Sequence, residues 1–202
     1  MTLARTFLWL FANPAKGLRL HLRRCIAVAF ALALPMVALA EGIGIRNATV
    51  AQVEDGWQVD ADFDVQLSAQ LEEAINRGVP LYFVVDFEMA RPRWYWFDEK
   101  AVSARQTVSI SYDVLTRQYN VYMPGSLRQS WGTLDEAMFM IRRPNRWLFA
   151  PKGALEPGKT YTVTLRMFMD RELLQKPLQV NAFNNADWRL TSSKKTFTYK
   201  AE

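Results

Sequence analysis

Apolar residues that recur at every second position constrain this chain more than any other feature. From Trp57 to Leu67 every odd-numbered residue is apolar and every even-numbered one is polar. A strand with one buried face needs that pattern, whereas a helix would scatter the same residues around its circumference. The preceding Ile45–Val53, joined through Glu54-Asp55-Gly56, reads as the hairpin partner. Further strands are predicted over 80–89, 94–97, 107–114, 118–123, 160–169, 177–183 and 188–199, with Leu115-Thr116-Arg117 turning the hairpin between the third and fourth of these.

Two short helices interrupt the strands. Ser68 is suited to cap a helix that runs to Arg77 and stops at Gly78. Thr133-Leu134-Asp135-Glu136 is a capping box. Beyond it Leu134, Ala137, Met138 and Ile141 share one face, Arg142 and Arg143 complement the negative helix end, and Pro144 follows. Many short strands without a βαβ rhythm predict a mainly β, antiparallel sandwich.

The first forty residues differ from the rest. Basic residues (Arg5, Lys16, Arg19, Arg23, Arg24) lead into an apolar run from Cys25 to Leu39 that ends in Ala38-Leu39-Ala40, a small-x-small cleavage pattern before Glu41. The run is shorter than the roughly 20 residues that span a bilayer. Residues 1–40 are therefore read as a signal helix removed on export by the general secretory route. The alternative is an uncleaved inner-membrane anchor with the domain facing the periplasm, and only then does the chain meet a membrane. Residues 41–202 are read as a single β-sandwich domain.

This division changes the charge argument. The chain holds 25 Lys and Arg against 20 Asp and Glu, but residues 1–40 carry five of the bases and no acid. The remainder is balanced, which removes the overall basic charge that suggests nucleic-acid binding. It also contains neither Cys nor His, since Cys25 and His21 both lie in the segment. Thiol nucleophiles, imidazole bases and the usual zinc sites are thereby excluded from residues 41–202. No cofactor or metal is implied, and no catalytic set is recognisable.

One local pattern sharpens the fold. Leu155-Glu156-Pro157-Gly158-Lys159-Thr160-Tyr161, followed by alternating Val163, Leu165 and Met167, resembles the tyrosine corner of immunoglobulin-like and fibronectin type III sandwiches. There a Tyr near a strand start hydrogen-bonds back to upstream backbone. The expected architecture is accordingly an immunoglobulin-like sandwich.

Several patterns imitate chemistry. Gly153 to Thr160 fits the phosphate-loop expression letter for letter, yet a strand pattern follows where the mechanism needs a helix. Asp60, Asp62 and Asp64 suggest calcium, but an EF-hand starting at Asp60 would place Val65 and Leu71 where Gly and Glu belong. They read instead as the polar face of a strand, with a sheet-surface cation site as the alternative. Ser192-Ser193-Lys194-Lys195 has the S-x-x-K spacing of a Ser–Lys nucleophile without its companion motifs. Asp86, Glu88, Asp98 and Glu99 flank an aromatic run and could serve a glycosidase only if two carboxyls faced each other. Asn47-Ala48-Thr49 matches a glycosylation acceptor, which has meaning only in a eukaryotic host.

The aromatic run itself, Trp94-Tyr95-Trp96-Phe97 after Arg91 and Arg93, is the most unusual local feature. Its rings either fill the core from a central strand or present a surface that stacks on sugars or anchors a partner. In the second case Arg91 and Arg93, with Arg142, Arg143 and Arg146, would form a polar rim.

At residues 91–100, at Ser111-Tyr112-Asp113-Val114-Leu115-Thr116-Arg117-Gln118-Tyr119 and at Asp187-Trp188-Arg189-Leu190-Thr191-Ser192, the chain resembles the domain-of-unknown-function 4390 family of exported Gram-negative proteins. The resemblance implies a periplasmic location and a genomic neighbourhood that often includes a two-component sensor kinase. It carries no catalytic residue. The expected function is a non-enzymatic protein-interaction module at the cell envelope, with an envelope protein as partner. The alternative is glycan or small-ligand binding, or glycan hydrolysis, through residues 94–97.

Overall fold

The computed structural model describes residues 42–93, 99–144 and 146–202. The expected signal segment with Ala38, Ala40 and Glu41, and the aromatic residues Trp94–Phe97 with their expected strand, lie outside them. Among the described residues no helix is long and apolar enough to cross a membrane.

Residues 41–202 form one compact, mainly β unit. Strands β1 (Ile43–Val53) and β2 (Gly56–Val65) make the expected hairpin, with Val53 opposite Gly56 across Glu54-Asp55. β2 alternates as its sequence requires: Trp57, Val59, Ala61, Phe63 and Val65 are buried, and the residues between them are half-exposed. β7 (Trp147–Pro151) pairs with β2 to complete a three-stranded antiparallel sheet.

The second sheet has six antiparallel strands in the order β6-β5-β4-β3-β8-β9. They are β3 (Leu81–Arg91), β4 (Glu99–Asp113), β5 (Gln118–Tyr122), β6 (Gln129–Trp131), β8 (Thr160–Met169) and β9 (Lys195–Lys200). Central β3 pairs with β4 on one side and β8 on the other.

The two sheets share one apolar core. Phe87 of β3 meets Phe149 of β7 with ring centroids 4.2 Å apart, and Trp57 of β2 meets Tyr199 of β9 edge-on at 5.9 Å. Burying such rings, with the aliphatic residues between them, drives the sheets to pack.

Helix α1 (Ala69–Asn76) is capped as expected, the Ser68 hydroxyl accepting from the Leu71 N–H at 3.3 Å. Helix α2 (Leu134–Arg142) carries the complete capping box and packs on β2 and β5, so it bridges the sheets with Ala137, Met138 and Ile141 buried.

Several sequence expectations are corrected. Residues 177–183 form not a strand but part of helix α3 (Lys176–Asn184), with proline in its first turn, so the described residues hold three α-helices where one or two were expected. Residues 188–199 do not form one strand: a 3₁₀ turn ends at Trp188, Thr191 and Ser192 make isolated bridges, and β9 begins only at Lys195. β6 and β7 were not expected, and β4 starts at Glu99, well before the expected 107.

Candidate functional site

The ends of β3 and β4 frame the aromatic run. Arg91 stands opposite Glu99 in the sheet register, and residues 92–98 connect the two strands. Arg91 Nη2 donates to Glu99 Oε2 at 2.5 Å and its Nη1 to Glu156 Oε1 at 2.8 Å, while Arg93 also pairs with Glu99. Hydrogen bonds from Arg91 and Arg93 hold the Glu99 carboxyl below its usual range. The residues on both sides of the run are thus tied to each other and to the loop that holds Glu156.

That loop is the predicted corner. Tyr161, buried at the start of β8, accepts at its hydroxyl oxygen from the Glu156 N–H at 2.8 Å. Leu155 is buried beneath the loop. Pro157 and Gly158 turn it, Gly158 at φ 77°, and the Gly158 N–H donates to Ala201 O at 2.7 Å. The local seven-residue pattern sufficed to place this bond because both partners lie within it. Thr160 opens a strand, so the letters of a phosphate loop stand here without the helix their chemistry needs.

A second cluster lies on the outward face of the six-stranded sheet. Asp86 stands opposite both Arg105 and Arg166 in register. It accepts from Arg105 Nε at 2.6 Å and from Arg166 Nη2 at 2.9 Å. Partial burial pushes its carboxyl up, but the two guanidiniums outweigh this and hold it below the ordinary value of 3.8. The shallow cleft around them, about 360 Å³, also takes in Glu88, Thr164 and Lys194. Arg105 and Arg166 escaped the sequence reading because only strand register brings them to Asp86.

The sign of this shift sets an acid response. A carboxyl depressed in the folded state adds stability above its ordinary 3.8 and loses it as pH falls through the lower folded value. Asp86→Asn is expected to lower stability at neutral pH by about 1 kcal/mol and to flatten the acid limb of the stability curve. Urea unfolding of both proteins at neutral pH and below pH 3.8 checks this; parallel pH curves would contradict it.

The third cluster is a cleft of about 510 Å³ between β2 and α2, lined by Arg46, Asp62, Asp64, Phe139, Arg142 and Arg143. Asp64 pairs with Arg46 at 3.1 Å and Asp62 loosely with Arg143 at 3.7 Å. Asp60 accepts from the Arg146 N–H at 2.6 Å. Arg142 donates to the Val65 carbonyl at 3.3 Å. Each of the three aspartates thus has a partner nearby, Asp64 in Arg46, Asp62 in Arg143 and Asp60 in the Arg146 backbone. Among the described residues no group of three or more His, Cys, Asp or Glu is placed to hold a metal ion.

The Ser–Lys spacing also has a structural use. Ser192 is buried, and its hydroxyl accepts from the Met167 N–H at 2.9 Å. Lys195 Nζ lies 3.0 Å from the Arg46 carbonyl. The serine serves β8 and the lysine serves β1.

Two antiparallel sheets around one core, with Arg91, Arg93, Glu99 and Glu156 paired beside the Tyr161 bond, define a mainly β domain. The chain belongs to the family described as domain of unknown function 4390 (DUF4390), whose model matches residues 40–198. No curated protein and no solved structure matches the chain.

Proposed function

We propose that this is an exported periplasmic protein whose immunoglobulin-like sandwich acts as a non-enzymatic interaction module at the cell envelope. The observation that carries the reading is the set of ion pairs among Arg91, Arg93, Glu99 and Glu156, at the strand ends that flank the aromatic run in sequence. Arg93 and Glu99, which flank the run in sequence, are held by these pairs, and Trp and Tyr are the side chains that anchor interfaces best. The Tyr161 bond to Glu156 supports the immunoglobulin-like assignment. The engagement of Asp86, Glu99 and Ser192 in scaffold bonds favours contact over bond-making chemistry. Residues 1–40 serve as the export signal, or as an inner-membrane tether where cleavage fails.

The partner is an envelope protein, with a membrane sensor kinase as the first to test because of the family's neighbourhood. A photo-crosslinking residue placed at Tyr95 in cells is expected to capture one envelope protein, and the same residue at Leu115, an exposed turn position, is expected not to. Equal capture at both positions, or none at Tyr95, would sink the reading. Quenching of Trp emission by envelope glycans without protein capture would favour the glycan-binding alternative.

A further inference from the structure

We infer that the cleft beside β2 binds a short peptide by its two free ends, with Arg142 taking the carboxylate and Asp62 and Glu72 the ammonium. The cleft holds about 510 Å³, lies between β2 and α2 beside the first turn of α1, and carries charges of both signs. Arg46 and Asp64 satisfy each other at 3.1 Å. Arg142 has no such partner. It ends α2 half-buried, and its Nε donates to the Val65 carbonyl at 3.3 Å. Among the described residues no carboxylate pairs with its guanidinium. The negative end of α2 offsets part of that charge but offers no planar acceptor for the Nη1 and Nη2 donors. A half-buried guanidinium in this position carries a desolvation cost that a ligand carboxylate would offset.

The opposite sign is available in the same cleft. Glu72 lines it from the first turn of α1, and the residue one turn on is Asn76, so the helix supplies Glu72 with no cation. Asp62 is 3.7 Å from Arg143, too far for a hydrogen bond, and the Arg143 guanidinium lies over the Phe139 ring at 4.8 Å. The Asp62 oxygens are therefore able to accept from an ammonium.

These charges select the ligand. A simple anion would meet Arg142 but be repelled by Asp62 and Glu72, and a simple cation would meet the reverse. A molecule with one charge of each sign satisfies both. Phe139, about half exposed in the cleft wall, gives its apolar part a surface. The volume falls within the range of small-ligand sites and suits a peptide of about three residues.

The probe is trialanine, titrated calorimetrically into protein purified from cells expressing the full chain. A Kd of about 1 mM or lower is expected. N-acetyl-trialanine lacks the ammonium and trialanine amide lacks the carboxylate, and each is expected to bind about tenfold more weakly. Arg142→Gln is expected to abolish the preference for the free carboxylate over the amide and to keep that for the free amine. Glu72→Gln is expected to shrink the preference for the free amine and to leave that for the carboxylate. The blocked peptides test the wild type directly, so the result does not depend on either variant folding. Trialanine without saturable binding overturns the inference, and so does equal binding of free and blocked peptides. A carboxylate preference that survives Arg142→Gln also overturns it, because the peptide then sits elsewhere.

Discussion

Gly56→Ala is expected to destabilise the domain by about 3 kcal/mol or more, lowering the melting temperature by roughly 10 °C. Gly56 opens β2 at φ 150°, a backbone conformation that side chains rarely adopt. A Cβ there would stand 2.2 Å from the Ala150 carbonyl oxygen and 3.0 Å from the Pro151 Cα, both backbone atoms of β7. No rotamer change relieves such a clash, so either the hairpin or β7 must move. β7 carries Phe149, one of the rings that join the sheets, and the displacement therefore reaches the core. Gly44→Ala is the control, because its Cβ would meet Asp64 at an ordinary 3.4 Å and Gly44 has no unusual φ. Urea unfolding is expected to put that variant within about 1 kcal/mol of wild type. A Gly56→Ala protein as stable as the Gly44→Ala protein would show that β7 is not held against β2 as described.

Gly56 also marks where sequence reading worked and where it stopped. The hairpin around Glu54-Asp55 was legible because turn residues and alternation lie within one stretch of chain. β7 was not, because Trp147–Pro151 is a short apolar segment whose partner is about ninety residues away. The same division runs through the candidate site. The corner bond from the Glu156 N–H to Tyr161 lies within seven residues and was anticipated. The Asp86 cluster depends on two registers, Asp86 with Arg105 and with Arg166, and no local pattern encodes them.

Helix α3 failed for another reason. Leu178, Val180 and Ala182 alternate as a strand would, but only Ala182 is buried, and Val180 and Phe183 face outward. Alternation predicts a strand only where a second strand or a core uses it. The early start of β4 was missed because Ala101 to Arg105 mixes small and polar residues on a half-exposed part of the sheet.

The largest single-residue loss is expected at Phe87, the ring on β3 that meets both Phe149 and Trp147 of β7 at 4.2 and 6.2 Å. It is 1% exposed, so truncation removes buried surface and leaves a cavity between the sheets. Phe87→Ala is expected to cost about 3–5 kcal/mol. The exposed Phe183, with the Arg171 guanidinium over its ring at 4.8 Å, is expected to lose less than about 1 kcal/mol on the same change. The contrast separates a core ring from a surface ring of the same chemistry. A second comparison tests whether Phe87 acts through the sheet-to-sheet contact. If it does, Phe87→Ala and Phe149→Ala together cost less than the two losses added, because each deletes the partner of the other. Strict additivity in urea unfolding would mean that the rings are buried independently and that another contact, such as Trp57 against Tyr199, holds the sheets together.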